Sequence, residues 1–312
     1  MSKIIQLHEK PTLINLFSGW GGTSLGFEQG GFNEILAVDN NKNSRLNFSL
    51  NFPNVPIMPW DISTLSDQQI LDFVGKKKGE TDIVWASSPC PTFSSAGKQD
   101  MQDPRTGLTF KAISLIEKIQ SRVFVIENVP GMVRGRLGVE YYPRLVERLN
   151  QTNYHWELRL LNALHYGVPQ SRLRVIIIGV RKDVGIAPVF PTPDLIGAEK
   201  LYVKDVAPDV HFFTQGYKNN FKKKSADHHM GTITKTQNRW AFTNGVLRNL
   251  TIPELLMFCS YPENWKYVGS YSAIWARAGN SVMPLFAKAL AETIKSQILD
   301  VHDRIINLQQ AA

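Results

Sequence analysis

Short apolar runs alternate with segments of helical spacing along the first third of the chain. The apolar runs occupy residues 12–17, 35–38 and 83–86, and helical patterns begin at about Ser24 and Ser44. Parallel strands joined by crossover helices give this alternation. After each strand the chain must cross back to the edge where that strand began, so that the next strand can run in the same direction. The pattern therefore predicts an α/β domain.

Two later apolar runs extend the predicted sheet. They lie at residues 123–126, after a helical stretch at about 110–119, and at residues 175–178. Continuous apolar runs are typical of central strands that are covered on both faces. The predicted fold class is thus α/β with a mostly parallel sheet.

The character of the chain changes after residue 182. Prolines become frequent there, and a run of three lysines follows at residues 222–224. Helical spacing over about 284–308 predicts a last segment that packs back on the sheet. The expected units are a catalytic, cofactor-binding domain at 1–182, a small loop-rich domain at 183–269 and a returning C-terminal segment at 270–312.

Composition limits the cellular context. The 312 residues include only two cysteines, too few for a disulfide framework. No apolar run approaches the roughly 18 residues that span a bilayer, and the start lacks a secretory pattern. We expect a soluble, cytoplasmic protein with no membrane partner. The formal net charge of +8 favours a polyanionic partner, although many basic proteins bind no nucleic acid.

A glycine-rich turn follows the first predicted strand. Gly19, Gly21 and Gly22 lie where glycines allow a tight turn and leave helix N-terminal amides free for a carboxylate or phosphate. Their spacing differs from the dinucleotide fingerprint, which has glycines at the first, third and sixth positions. Asp39 and Asp61 follow at later strand ends, where a carboxylate can bind ribose hydroxyls. Each feature is common by itself, but in this order they indicate a nucleoside-containing cofactor.

Cys90 lies between Pro89 and Pro91, where the strand at 83–86 opens into a loop. This position is poor for core packing and suitable for presenting a sulfur, so we interpret Cys90 as a nucleophile. The alternative is a small buried hydrophobic residue, which is the usual fate of a free cysteine. We expect that alternative for Cys259, which lies in an apolar segment.

Charged residues mark the two predicted central strands. Glu127 follows the first strand and can act as a general acid or hold an amidine edge of a substrate, whereas a helix cap or solvated turn is the alternative. Arg172 and Arg174 enter the second strand on the same side of an extended segment. Such a pair can bind phosphate, a substrate carbonyl or the carboxylate itself. A nucleophile and a carboxylate at two strand ends can face one pocket.

Six segments in chain order resemble the motifs of one enzyme family. They are FSGWGG at 17–22, PC at 89–90, ENV at 127–129, QSRLR at 170–174, RNLT at 248–251 with Glu254, and GNSV at 279–282. Over nearly its whole length the chain resembles the cytosine carbon-5 DNA methyltransferases that depend on S-adenosylmethionine, of the bacterial restriction-modification type. The resemblance implies a Rossmann-like methyltransferase domain and a smaller target-recognition domain.

The resemblance implies a covalent mechanism on a cytosine that has left the duplex stack, with no metal. Cys90 would add to carbon 6, and Glu127 would meet N3 and the exocyclic amine. Arg174 would contact the ring carbonyl, and Asn128 would help to hold the loop that carries Cys90. Arg172 belongs to the same implied catalytic set.

The resemblance also implies binding residues and partners. S-adenosylmethionine, with S-adenosylhomocysteine as product, would contact Phe17, Gly19, Trp20, Gly21, Gly22, Asp39, Asn40, Asp61, Ile62, Pro89, Leu108, Asn280 and Val282. DNA would contact Ser94 and Lys98 in a mobile loop at 91–107, and Lys235, Gln237 and Arg239 within a recognition region at 183–247. The implied partners are double-stranded DNA and, where one exists, a cognate restriction endonuclease for the same site. We expect a monomer that associates with the nucleoid through DNA.

Two residues depart from the family pattern. Pro91 replaces the glutamine that commonly follows the nucleophile, which leaves the contact of this loop with DNA open. Asn40 replaces an aromatic residue that often stacks on adenine, and Trp60 is the nearest candidate to cover that face. Neither change affects the implied chemistry.

Three other functions remain open from the sequence. A transfer-RNA cytosine methyltransferase on the same scaffold would use the same Cys90 and Glu127, although Phe93 and Ser94 fit the DNA enzymes better. A catalytically silent DNA-binding paralogue should have lost one of the two reactive residues. A nicotinamide dehydrogenase would need a different glycine spacing.

Overall fold

The computed structural model describes residues 9–89, 93, 103–217, 220–237 and 239–311. Within these ranges the chain forms a seven-stranded sheet and a four-stranded sheet. The strands of the larger sheet are β1 (Thr12–Leu16), β2 (Asn33–Val38), β3 (Ile57–Met58), β4 (Ile83–Ala86), β5 (Val123–Asn128), β6 (Tyr154–Asn162) and β7 (Leu173–Arg181).

The larger sheet has the strand order β3-β2-β1-β4-β5-β7-β6. Its first five strands pair in parallel, whereas β7 runs antiparallel to both β5 and β6. The prediction of an α/β fold with a mostly parallel sheet is confirmed. The predicted strand at 83–86 has the bounds of β4, and the run at 123–126 continues by two residues, so that Glu127 and Asn128 end β5.

Eleven α-helices occur in the described ranges. They are α1 (Gly22–Gln29), α2 (Lys42–Asn51), α3 (Asp67–Val74), α4 (Leu108–Ile119), α5 (Gly135–Asn150), α6 (Leu195–Ala198), α7 (Val203–Val206), α8 (Ile252–Phe258), α9 (Tyr271–Asn280), α10 (Pro284–Ile294) and α11 (Asp300–Ala311). Local sequence fixes several starts: Asn41 caps α2, and Ser66 with Gln69 forms a capping box on α3.

The core lies on the two faces of the larger sheet. Successive residues of β1 alternate between them, because side chains of a strand point to opposite faces. Leu13 packs in the cluster that contains Phe27 of α1, and Ile14 packs in the cluster that contains Ile113 of α4. Both faces are therefore covered, which explains why β1, β4 and β5 are fully buried.

The strand order reverses between β1 and β4. From β1 the chain moves outward through β2 to β3, and from β4 it moves the other way to β5. Loops that leave the carboxyl ends of β1 and β4 therefore diverge and leave a crevice between them. Open α/β sheets bind their ligands at such a position.

The smaller sheet contains β8 (Phe212–Tyr217), β9 (Asn220–Ser225), β10 (Trp240–Thr243) and β11 (Val246–Asn249), in the order β11-β10-β8-β9. All its pairs are antiparallel. The sequence predicted a loop-rich region here and missed these strands, as it missed β6. The domain boundaries at 182 and 269 stay predictions.

The C-terminal segment packs on the half of the chain that forms the larger sheet. α10 lies against α1, and a Cβ on Gly26 would approach the Ala287 methyl group within 2.5 Å. A π-helical turn at Lys295–Leu299 leads to α11, where Asp303 pairs with Arg122, which also pairs with Asp82. In the described part of the chain, no helix has the length and apolar character needed to cross a membrane.

Candidate active site

The glycine turn, residues 17–22, has an unusual backbone. Phe17 has a φ of 63°, Gly19 of 59° and Gly21 of 100°. Left-handed backbone is rare for an aromatic residue and costs about 1–3 kcal/mol, so the surrounding fold must hold Phe17 there. A Cβ on Gly19 would meet no atom within 4 Å, so the turn borders open space. The N-terminus of α1 has no side-chain cap, which leaves its first amides for a ligand.

Asp39 is fixed beside the glycine turn at the end of β2. Its Oδ2 accepts a hydrogen bond from the Gly19 amide at 2.9 Å, and its Oδ1 accepts one from the Asn41 amide at 2.8 Å. Burial raises the pKa of this carboxyl, and the two amide donors oppose the shift. A carboxylate offers more acceptor sites than two bonds use, so Asp39 can still accept hydroxyl donors.

Asp61 lies in a different environment. It is exposed, and its Oδ1 accepts a hydrogen bond from the Ser63 amide at 2.9 Å, which lowers the pKa of Asp61. Its neighbour Ile62 is 4% exposed and belongs to the core cluster that contains Ile14. Asp61 is thus an ionised carboxylate on the surface beyond β3.

Ser88 and Asn128 join the ends of β4 and β5. Asn128 Nδ2 donates to the Ser88 carbonyl oxygen at 3.3 Å, and Asn128 Oδ1 accepts from the Val129 amide at 2.7 Å. The Ser88 and Thr109 hydroxyl groups form a hydrogen bond of 2.7 Å, which ties this strand end to the first turn of α4. The backbone that leads to Cys90 is therefore held by two elements.

Cys90, Ser94 and Lys98 lie outside the described residues. Phe93, between them, is described and is 4% exposed. Its ring packs on Tyr141 of α5 with a centroid distance of 4.5 Å. The chain is thus anchored at Ser88 before the predicted nucleophile and at Phe93 after it.

Glu127 and Arg174 form a buried ion pair at the same edge of the sheet. Oε1 of Glu127 lies 2.9 Å from Nε of Arg174, and the two side chains are 11% and 10% exposed. The antiparallel direction of β7 places its first residues beside the last residues of β5, where Glu127 pairs with Ile176. Burial lowers the pKa of Arg174, and Glu127 opposes this shift. Arg174 Nη1 also donates to the Leu173 carbonyl at 2.7 Å.

The catalytic role of Arg172 stays a prediction, and the structure shows which groups this side chain contacts. Its side chain is 3% exposed and its guanidinium donates to the backbone carbonyls of Ile233, Gly279 and Ser281. Arg172 directly precedes β7, and its guanidinium is close enough to Arg174 and Glu127 to interact with both charges. Arg172 holds backbone segments together, and only Arg174 pairs with Glu127.

The terminal motif, residues 279–282, lies against the glycine turn. A Cβ on Gly22 would overlap the Val282 carbonyl oxygen and crowd the hydroxyl groups of Ser281 and Tyr261. These two hydroxyl groups form a hydrogen bond with each other. Asn280 is exposed beside them. Only glycine permits this approach at residue 22, so the structure brings two distant predicted cofactor segments together.

The remaining predicted cofactor residues differ in exposure. Pro89 is exposed after β4, Asn40 is exposed after Asp39, and Leu108 is partly exposed at the start of α4. Since Leu108 precedes Thr109, the hydroxyl contact with Ser88 places Leu108 and Pro89 near each other.

The cofactor contact of Trp20 stays a prediction, and the structure buries its side chain. The indole is 2% exposed and stacks on Trp265 at a centroid distance of 6.2 Å, with Tyr261 at 5.3 Å. It therefore belongs to the aromatic core, and only its backbone can face a ligand. Trp60 packs edge-on against Phe73 at 5.4 Å and stays partly exposed.

The three predicted DNA contacts in the recognition region differ in exposure and in their hydrogen bonds. Lys235 is exposed, and Gln237 Nε2 donates to Asn249 Oδ1 at 2.6 Å. Arg239 is 4% exposed and donates to the Thr232 carbonyl at 3.0 Å. Burial lowers the pKa of Arg239 to about 10. The expectation that Arg239 contacts DNA stays a prediction, and its Nη2 is used inside the protein.

Several polar residues of the site were missed by sequence reasoning. Ser88 and Gln170 lie inside or beside the quoted motifs, and that proximity was the available signal. Thr109 and Tyr261 gave no local signal, because their contacts join segments distant in the chain. Among the described residues, no group of three or more His, Cys, Asp or Glu side chains could hold a metal ion.

The chain is similar to known proteins along much of its length. Type II methyltransferase M1.HphI of Haemophilus parahaemolyticus is 30% identical over 325 residues, which cover 91% of this chain and 86% of that protein. Type II methyltransferase M.XorII of Xanthomonas oryzae pv. oryzae is 33% identical over 186 residues, which cover 59% of this chain and 43% of that protein.

A solved structure shares the fold. It is a crystal structure described as a DNA modification methyltransferase encoded within an E. coli prophage, with a TM-score of 0.70 and 19% identity, covering 93% of this chain and 100% of that one. The sequence profile of the family described as "C-5 cytosine-specific DNA methylase" matches residues 12–229 and 210–296. With the glycine turn, the paired Glu127 and Arg174 and the terminal motif in one fold, the chain belongs to this family and is a DNA cytosine-5-methyltransferase.

Proposed function

We propose that this enzyme transfers a methyl group from S-adenosylmethionine to carbon 5 of a flipped-out cytosine in a short duplex DNA sequence, through a covalent bond to Cys90. The observation that carries the proposal is the convergence of three groups at one edge of the sheet. The glycine turn follows β1, the Ser88 and Asn128 contact follows β4, and the Glu127 and Arg174 pair joins β5 to β7.

The chemistry begins with the Cys90 thiolate. Carbon 5 of cytosine is a poor nucleophile, and addition of the Cys90 sulfur to carbon 6 forms a carbon–sulfur bond and moves an electron pair to carbon 5. Carbon 5 then takes up the methyl group. Loss of the carbon 5 proton to a base and cleavage of the carbon–sulfur bond restore the aromatic ring and the free thiolate.

Glu127 and Arg174 hold the target ring. A carboxyl group at Glu127 can face N3 and the exocyclic amine, and the Arg174 guanidinium can donate to the ring carbonyl while it keeps Glu127 in position. Buried charge stabilises developing charge strongly because little water screens it. Asn128 holds the Ser88 carbonyl and thereby the start of the segment that carries Cys90.

The residues present fit S-adenosylmethionine. The open space in front of Gly19 and the uncapped N-terminus of α1 suit the carboxylate of its methionine part. Asp39 has acceptor capacity for ribose hydroxyl groups, and Asp61 with Ile62, which follow β3 at the same edge, would hold the adenine. The bound cofactor supplies an electrophilic methyl group on a sulfonium.

The substrate base must leave the stack, at a cost of a few kcal/mol in lost pairing and stacking. Phosphate contacts from Ser94 and Lys98 and contacts from Lys235 and Gln237 would offset this cost. The similarity to Type II methyltransferases supports a role in restriction-modification with a cognate endonuclease, beside the chromosome in the cytoplasm. A monomer suffices, since one strand is methylated at a time.

The test is methyl transfer from tritiated S-adenosylmethionine to plasmid DNA, with the methylated positions mapped by bisulfite sequencing. Cys90→Ser should abolish transfer. The matched control is Cys259→Ser, since Cys259 is fully buried and should leave the mapped site unchanged. Full activity of Cys90→Ser would refute the covalent mechanism. Transfer to folded RNA but not to DNA would favour the transfer-RNA alternative.

A further inference from the structure

Three distant segments cross at one buried point: residues 170–172, residues 231–234, here named the recognition segment, and the terminal motif. Arg172 lies at the centre. Its Nη1 donates to the Ile233 carbonyl at 2.8 Å. Its Nη2 donates to the carbonyls of Gly279 at 2.9 Å and Ser281 at 3.0 Å.

Gln170 makes the second connection at this crossing. Its side chain is fully buried, its Oε1 accepts from the Ile233 amide at 2.9 Å, and its Nε2 donates to the Phe258 carbonyl at 3.1 Å. The Ser171 amide donates to the Met230 carbonyl at 2.8 Å. The recognition segment is thus bound to residues 170–172 through both the amide and the carbonyl of Ile233.

The terminal motif and α9 close the crossing from the other side. Trp275 Nε1 donates to the Thr234 carbonyl at 3.0 Å. A Cβ on Gly279 would overlap that same carbonyl oxygen. Thr234 is followed directly by the exposed Lys235, so the crossing ends where the candidate DNA contacts begin.

The same terminal motif reaches the glycine turn. Ser281 Oγ donates to the Val282 carbonyl at 2.9 Å, and that carbonyl lies against Gly22 at the start of α1. One Arg172 guanidinium therefore contacts the backbone of the segment that precedes the DNA contacts and the backbone of the segment that forms one wall of the cofactor turn.

We propose that Arg172 is a positioning residue that couples DNA binding at the recognition segment to cofactor binding at the glycine turn. The proposal rests on the proposed function, since it assumes that these two regions bind DNA and S-adenosylmethionine. The proposal needs no contact of either ligand with Arg172, whose side chain is 3% exposed. The coupling is reciprocal by thermodynamic necessity, so DNA tightens cofactor binding by the factor by which cofactor tightens DNA binding.

The geometry requires arginine. A guanidinium holds five N–H donors in a rigid planar fork, and Arg172 uses this fork to reach three carbonyls in two directions. A lysine ammonium is a single compact centre on a shorter side chain, so it does not reproduce the two separate donor nitrogens that Arg172 directs at Ile233 and Ser281. Arg172→Lys keeps the positive charge and most of the packing volume, and it removes the bridge.

The experiment measures a binding cycle with the full chain. Calorimetric titration gives the dissociation constant of S-adenosylhomocysteine alone and with a duplex that carries the site mapped by bisulfite sequencing. For the wild type we expect the duplex to tighten this binding by about 10-fold, and for Arg172→Lys by about 2-fold or less. The matched control is Arg159→Lys, an exposed arginine on β6 that should keep the wild-type ratio.

A merely structural role would lower the melting temperature and the active fraction without changing the ratio of the two dissociation constants. If Arg172→Lys does not fold, Trp275→Phe removes the indole donor to Thr234 together with part of a buried ring, and it should reduce the ratio by an intermediate amount. A wild-type ratio near one, or an unchanged ratio in these variants, overturns the proposal. Absence of methyl transfer by the wild type overturns the proposed function instead.

Discussion

Replacement of Glu34 by glutamine should remove a large pH dependence of the free energy of unfolding. Glu34 lies on β2 opposite Leu13 of β1, and its carboxyl oxygens are buried between the sheet and α1. Asn15 and Ser24 lie beside it and hydrogen bond to each other at 3.1 Å. Burial raises the pKa of Glu34 from 4.5 to about 8, more than these two polar neighbours lower it.

The sign and the size of this pH dependence follow from proton linkage. The unfolded chain releases this proton near pH 4.5, and the native protein keeps it until about pH 8. The stabilising effect is therefore complete below pH 4.5 and is lost as the pH rises to about 8. Between these values the free energy of unfolding falls by about 1.4 kcal/mol per pH unit, which gives an upper limit of about 3 kcal/mol between about pH 5 and pH 7.

The assay is urea unfolding of the wild type and of Glu34→Gln at several pH values from about 5 to 8. The difference between the two proteins isolates the Glu34 proton, and the variant should gain stability over the wild type as the pH rises. Glu28→Gln is the matched control, because Glu28 is the nearby exposed carboxylate that raises the pKa of Glu34 only slightly. A difference that stays constant with pH would show that Glu34 is ionised in the native protein and would refute the reasoning.

Three further predictions concern the site. Glu127→Gln should lower kcat by about 10²- to 10⁴-fold while duplex binding in a gel-shift assay is retained, and unchanged turnover would exclude a role for this carboxyl group. Gly22→Ala should overlap the Val282 carbonyl and destabilise the protein by about 1–3 kcal/mol, with weaker cofactor binding in calorimetry; a wild-type melting temperature would contradict the close approach. Ser88→Ala should leave the buried Thr109 hydroxyl without this partner at a cost of about 1–3 kcal/mol, measured by urea unfolding, whereas an unchanged midpoint would show that another group replaces it.

The parts of the fold that could be predicted are those with a local cause. Parallel strands buried on both faces need continuous apolar runs, so β4 and most of β5 could be located from sequence. The strands of the smaller sheet could not be located in this way. β9 carries Lys222, Lys223 and Lys224, and its pairing with β8 depends on contacts between distant residues rather than on its own composition.

The two arginines of residues 170–174 show the same limit within the site. Arg172 and Arg174 are the same residue type, two positions apart, and both were expected at the reaction centre. The antiparallel course of β7 brings Arg174 to Glu127, whereas Arg172 precedes the strand and meets backbone carbonyls of two other segments. Which carbonyls lie within reach depends on where Ile233 and Ser281 fold, and no local pattern encodes that.

The sequence by itself determined the class of the fold, the family and the chemical types at the strand ends, because strand periodicity, glycine turns and reactive side chains are local properties of the chain. The tertiary structure decided the partners: Asp39 with the Gly19 amide, Gly22 with the Val282 carbonyl, and Arg172 with three backbone carbonyls. These contacts join segments that are separated by about 20 to more than 200 residues, and their formation depends on the packing of the whole core.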